Sequence, residues 1–168
     1  SAFPTLVDNG ALLSQVGKEM NAVEIFSEGM GSTVYYGPGA GPKPTASAVI
    51  ADLVDIAKGG WELDINKNRE NKLEVSDIQK TARYFRLQVK DQPGVIAKIS
   101  SLFGEKKISI DALIQHEARS KEDQDSVSLV IISGNIQDNE AENLKNILEG
   151  LPEVFRGVKK FKIHAGHK

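Results

Sequence analysis

Two short glycine-bearing turns are where this sequence offers backbone chemistry. The first is "GPGAG", with Gly37, Gly39 and Gly41 at alternate positions, running into "PKPTASAVIADLVDIAK". Glycine lets the main chain turn with positive φ and lets a ligand approach it closely. The helix that follows carries partial positive charge at its start, suited to phosphate or carboxylate. The pattern is not G-x-G-x-x-G, because Pro44 stands in the way, and no strand-helix-strand repeat surrounds it. A structural turn and a ligand contact both remain open for it. The second turn is "DQPGV", residues 91–95, where a Pro-Gly loop at a helix start exposes N–H groups able to hold a small carboxylate. The plainer reading is a tight strand-to-helix turn.

Side-chain chemistry is sparse. There is no cysteine, which excludes disulfides, thiolate zinc sites and cysteine nucleophiles. His116, His164 and His167 are too scattered for a metal site, and Ser, His and Asp nowhere cluster as a triad. The expectation is no catalytic residue and no metal ligand in this chain. Asp52 and Asp55 sit on the polar side of their helix, and the charged run 117–125 reads as a solvated turn.

These turns need elements to position them, and 168 residues suit one domain or two small ones. Net charge is −2 with no basic block, which argues against a nucleic-acid partner. No apolar run approaches the roughly 20 residues of a membrane span. The first ten residues, "SAFPTLVDNG", lack the basic start and apolar core of a signal peptide, so a cytoplasmic location is expected. The chain opens on Ser1 rather than Met, consistent with a fragment.

Residues 1–59 hold three Lys/Arg and six Asp/Glu, whereas 60–168 hold eighteen and seventeen. The seam at Gly59-Gly60 leads into a hydrophilic connector in which Leu73 and Val75 mark a possible short element and Trp61 and Leu63 a return contact. The expected domains are 1–60, a linker at 61–80, and 81–168. In the last, "YFRLQVK" alternates with Phe85, Leu87 and Val89 on one face. A helix follows, with Pro93 in its first turn, Val95, Ile99, Leu102 and Phe103 at helical spacing, and Gly104 as its stop. "ISIDALIQ" alternates through Ile108, Ile110, Ala112 and Ile114, and "SVSLVIIS" is a β-rich run. A helix with Ala141, Leu144, Leu148 and Leu151 on one face precedes a final strand with Phe161 and Ile163 inward. The order β-α-β-β-α-β predicts an α+β, ferredoxin-like fold with helices on one face of an antiparallel sheet. Val130 and Ile132 make the third strand apolar on both sides, which predicts sheet-to-sheet or edge-to-edge pairing of two copies. The first part offers two strands and one helix, the latter capped by Thr45, with Lys43 kept extended by Pro44, striped with Val49, Leu53 and Ile56, and closed by Gly59. Three such elements cannot enclose a core, so this part is expected to complete another domain or subunit.

Two stretches carry a family resemblance. "MNAVEIFSEGMGSTVYYGPGAGPKPTASAVIADLVDIA" resembles the end of the catalytic region of homoserine dehydrogenases, and "YFRLQVKDQPGVIAKISSLFGEKKISIDALIQ" resembles the ACT domain appended to many bacterial members. The resemblance implies a parent enzyme that interconverts aspartate semialdehyde and homoserine with NAD(P), under threonine feedback through the ACT module. It also implies that the Rossmann half and catalytic lysine lie upstream, so this chain alone is expected to be inactive and to bind no NAD(P). Gly41 falls where the family's glycine lies beside the dinucleotide, and Gly39, Ala40 and Thr45 share that turn and helix start. Asp91, Pro93, Gly94 and Val95 match the effector loop. Ser109 stands where many amino-acid-binding ACT domains have asparagine, and Gln115 is a further polar contact. The rival reading is a stand-alone ACT module that binds a small molecule, or only dimerises, with no catalytic role.

Overall fold

The computed structural model describes residues 3–60, 80–116 and 126–164. The charged run 117–125, His167, and the connector with Trp61, Leu63, Leu73 and Val75 lie outside the described residues. In chain order the elements are β1 (Thr5–Leu6), a short 3-10 helix (Leu12–Gln15), β2 (Met20–Ser27), β3 (Gly31–Pro38), α1 (Pro42–Ala57), β4 (Thr81–Lys90), α2 (Val95–Glu105), β5 (Ile110–His116), β6 (Ser126–Ile136), α3 (Asp138–Glu149) and β7 (Val154–Ile163). The described residues fall into two compact units, 3–7 with 80–164, and 8–60.

The larger unit is the α+β sandwich that the β-α-β-β-α-β order predicts. Its sheet runs β1-β7-β4-β6-β5, with β7, β4, β6 and β5 antiparallel throughout. Phe85, Leu87 and Val89 of β4 and Leu129 and Ile131 of β6 point to the helical face and are essentially fully buried. Against them α2 sets Val95, Ile99 and Phe103, and α3 sets Ala141, Leu144 and Leu148. Phe85 and Phe103 meet edge to face at 6.0 Å between ring centroids. Each large apolar side chain buried this way contributes about 1.5–3 kcal/mol. Helix α3 is opened by a capping box between Gln137 and Glu140, in which the Gln137 N–H donates to Glu140 Oε2 at 2.8 Å.

On the opposite sheet face Val130 is buried, Ile132 half-buried, and Tyr84 and Phe161 lie 6.0 Å apart. The strand β6 is thus apolar on both sides, as its composition indicates. Phe161 therefore does not point inward. Register shifts where β7 meets Gln88 and Val89 change the phase of the strand, so Val158 enters the core while Lys160 and Lys162 reach the α3 carboxylates. A similar shift between Ile110 and Ala112 breaks the simple alternation of β5: Ile110 and Leu113 pack on the core, and Ile114 is exposed. Helix α2 begins after Pro93 and passes through Gly104 to Glu105.

The fifth strand is the departure from the expected layout. Residues 3–7, which fall in the first part by sequence, lie in the larger unit: Thr5 and Leu6 pair parallel with Lys162 and Ile163. The His164 N–H donates to the Leu6 carbonyl at 2.8 Å.

The smaller unit is the antiparallel hairpin β2–β3, turned at Glu28–Met30 with Gly31 at φ 70°, together with α1. None of residues 8–60 is buried. The apolar stripe of α1 is present, yet Val49, Leu53 and Ile56 are 53%, 59% and 71% exposed. The helix starts earlier than a Thr45 cap requires: Gly41 is the cap, Pro42 and Pro44 both lie in the first turn, and Lys43 is helical rather than extended. Proline is tolerated there because first-turn N–H groups have no acceptor within the helix.

Candidate functional site

The turn before α1 holds the residues that the sequence points toward a cofactor. Gly39 donates its N–H to the Glu19 carbonyl at 2.8 Å, and a Cβ on Gly39 would fall 1.8 Å from Asn21 Nδ2. Its missing side chain is therefore explained by packing against β2. Gly41 differs. It has φ 116°, and a Cβ there would meet only the Pro44 ring, at 3.7 Å. Its open side leaves the main chain approachable. The Thr45 N–H donates to the Gly41 carbonyl at 3.2 Å as the first helical bond, so its main-chain donor is already used. Prolines at 42 and 44 remove two of the first-turn donors that a phosphate cradle needs. The turn therefore offers an open main chain at Gly41, with Ala40 beside it, rather than a cradle of N–H donors.

The second loop joins β4 to α2. Gly94 is left-handed (φ 91°) and caps α2, and the loop is tightened by Gln92 N–H to the Lys90 carbonyl (3.0 Å) and Val95 N–H to the Gln92 carbonyl (3.3 Å). Nothing lies within 4 Å of a Cβ placed on Gly94. Pro93 sits in the turn and Val95 is buried, anchoring the helix start. The loop lies at the sheet end where β5 finishes, and the Gln115 amide Nε2 reaches Asp91 Oδ1 at 3.5 Å. Asp91, Pro93, Gly94, Val95 and Gln115 therefore gather at one place.

Ser109 does not join them. It precedes β5, at the opposite sheet end, where Gly134 N–H donates to its carbonyl at 3.0 Å and its Oγ faces Asp111 Oδ1 at 3.4 Å.

Sequence reasoning missed a charged cluster on the helical face. Arg83 is in phase with Phe85 and is fully buried. Its Nη2 donates to Asp138 Oδ1 at 2.6 Å, and its Nη1 donates to the Thr81 carbonyl at 2.9 Å and to the Thr81 hydroxyl. Lys162 Nζ meets Asp138 Oδ2 at 2.5 Å and stands 4.0 Å from the Phe3 ring centroid, a cation–π contact of about 0.5–1 kcal/mol at an exposed site. The hydrogen bond from Lys162, opposed by partial burial and joined by the charges of Lys162 and Arg83, holds the Asp138 carboxyl below its usual value. A charge at position 83 on the apolar beat of "RYFRLQV" was the available signal for a buried partner. Among the described residues no three His, Asp or Glu side chains converge as a metal ion would require. Nor is any described helix long and apolar enough to cross a membrane.

Comparison with known proteins matches residues 1–54 to the family "Homoserine dehydrogenase" and residues 83–149 to the "ACT domain". The homoserine dehydrogenase of Pseudomonas aeruginosa is 32% identical over 176 residues, covering 95% of this chain and 39% of that protein. That of Bacillus subtilis is 32% identical, covering 95% and 37%. Among solved structures, homoserine dehydrogenase from Thiobacillus denitrificans superposes with a TM-score of 0.73 at 30% identity, over 96% of this chain and 38% of that one. The chain thus spans about two fifths of the length of these relatives.

Proposed function

For a chain that belongs to the homoserine dehydrogenases and corresponds to their C-terminal, ACT-bearing part, we infer a regulatory role: it senses an amino acid, threonine by preference, and adjusts the oxidoreductase reaction of the protein it completes. That reaction interconverts aspartate semialdehyde and homoserine with NAD(P) in the cytoplasm. The observation that carries this reading is the loop 91–95, where left-handed Gly94 opens α2 and Asp91 meets Gln115 from the end of β5. First-turn N–H groups of α2 suit an amino-acid carboxylate, and Asp91 suits the ammonium group.

The strand order supports pairing of two copies through β5. Strand β1 covers the β7 edge, whereas among the described residues β5 pairs only with β6. Two β5 edges meeting antiparallel about a twofold axis bring Ser109 of one chain toward the 91–95 loop of the other. Ser109 would thereby contribute to an effector site from across the dimer. The stand-alone ACT module is the second reading, and the separate compactness of the larger unit is what favours it.

On the dehydrogenase side, Gly41 forms one wall of the NAD(P) site, flanked by Gly39, Ala40 and Thr45, with the remaining walls supplied upstream. The chain by itself is expected to show no dehydrogenase activity, its catalytic groups being expected upstream.

Titration calorimetry of the chain with threonine, serine and other amino acids, paired with light scattering, tests the sensing role. Threonine binding by a dimer, lost in Gly94→Asp, supports it. A well-folded dimer that binds none of them favours dimerisation alone. A native reading frame that starts near Ser1, with no upstream Gly-rich nucleotide-binding unit, would rule out the enzyme reading.

A further inference from the structure

Residues 3–7 belong to the dehydrogenase part by family match and to the ACT unit by structure. The main chain therefore leaves the ACT unit after residue 7, and the described residues belong to it again from Lys80, just before Thr81 opens β4. Both passages are fastened to the same carboxylate. On one side Asp138 Oδ2 takes Lys162, whose ammonium stands over the Phe3 ring. On the other, Asp138 Oδ1 takes Arg83, which reaches back to the Thr81 carbonyl. The two entry points are thus linked, Phe3 to Lys162 to Asp138 to Arg83 to Thr81.

We propose that Asp138 is a clamp holding β1 as a strap on the β7 edge, and that the docked or undocked state of this strap is the element through which the ACT sheet and the dehydrogenase part influence each other. Three features make the strap a two-state element. It is short, with two paired residues; its side chains remain largely exposed, Phe3 at 49% and Leu6 at 40%; and it lies on a sheet edge. It is also in register with the far side of the sheet. Thr5 pairs with Lys162, Lys162 with Arg83, Arg83 with Ser133, and Ser133 with Ile110, so one rung crosses all five strands. The far end of that rung is next to Ser109, which leaves no room for a side chain on Gly134: a Cβ there would lie 2.1 Å from Ser109 Oγ. A displacement at the β5 edge has a packed route to the strap, and the strap gives that route two discrete end states.

The proposal rests on the amino-acid-sensing reading for its ligand but not for its structural half, and amide hydrogen exchange on this chain separates the two. In the wild type the His164 amide, bonded to the Leu6 carbonyl, is expected to be protected. Leu6→Pro, which removes a main-chain donor from β1, and Asp138→Asn are each expected to speed His164 exchange about tenfold. Exchange of Leu129 and Ile131 in the central strand reports that the unit is still folded, and the milder Phe3→Ala serves where Leu6→Pro is not. Threonine, bound as calorimetry verifies, is expected to change His164 exchange about threefold or more in the wild type and to leave it unchanged in Leu6→Pro. Unaltered His164 exchange in both β1 and Asp138 variants overturns the clamp, and unaltered exchange on verified threonine binding overturns the coupling. If no amino acid binds, the sensing reading alone fails. The strap then stands if undocking it also changes exchange in the β2–β3 hairpin, and falls if the hairpin is indifferent.

Discussion

Helices α1 and α2 carry the same kind of apolar stripe and meet opposite fates. In α2, Val95, Ile99 and Phe103 are 6%, 0% and 0% exposed, because a four-stranded sheet supplies the surface they need. In α1, Val49, Leu53 and Ile56 are more than half exposed. An amphipathic pattern selects which face of a helix will be buried but does not provide its cover, and burial stabilises only where the second layer exists. The larger unit has that layer within its own residues. The smaller one leaves the apolar residues of its hairpin and helix exposed among the described residues, and the chain spans about two fifths of its relatives.

The sharpest way to break this comparison is to truncate both stripes. Phe103→Ala is expected to cost the larger unit about 3–5 kcal/mol, read as a shifted denaturant midpoint. Leu53→Ala in the same chain is expected to change stability by less than about 0.5 kcal/mol. Equal losses would show that α1 is covered after all.

Asp138→Asn comes next, at about 1–3 kcal/mol near neutral pH, because a buried guanidinium loses its ionic acceptor. The sign of its pH dependence follows from the lowered carboxyl. The stabilisation is fully present above the ordinary aspartate value of about 3.9 and is lost as pH falls through the lower folded value. Stability curves of wild type and Asp138→Asn are therefore expected to converge in acid and separate above about pH 4. Parallel curves would remove the electrostatic account.

Gly94→Ala is expected to cost about 1 kcal/mol from the left-handed backbone alone, since its Cβ meets nothing. A much larger loss would mean that the loop is more crowded than its geometry indicates. Smallest is Lys145→Ala, which removes exposed pairs with Glu142 and Glu149 and is expected to change stability by less than about 0.5 kcal/mol.

The parts of the fold legible from sequence are those governed by local period and length. Strand β4 and helices α2 and α3 announce their buried faces through Phe85, Ile99 and Leu144 with no ambiguity of phase. What failed was phase across irregularities. The register shifts in β5 and β7 turn Leu113 inward and Phe161 outward, and no local pattern marks a bulge set by the neighbouring strand. The start of α1 was misplaced because Pro42 and Pro44 look like a barrier yet are at home in a first turn. Of the candidate site residues, those of the 91–95 loop share a turn that its Pro-Gly signature marks. The remoteness of Ser109 from that loop was not legible, since it depends on which strands run parallel. The β1–β7 pair was invisible because Thr5 and its partner Lys162 are so far apart in sequence, and the Asp138 cluster because Arg83 and Lys162 reach Asp138 only through the tertiary fold.

That last pairing has a consequence for how the protein is made. Thr5 leaves the ribosome among the earliest residues of this stretch, and its partner, Lys162, among the last. Closing so long a loop carries an entropy cost that local contacts do not. Strands β4, β5 and β6 can pair in the interim, because their partners are much closer in sequence, and β7 joins β4 as it emerges. Docking of β1 is then the final stitch, added to a sheet already complete, so a nascent or truncated chain lacking β7 leaves β1 with nowhere to go.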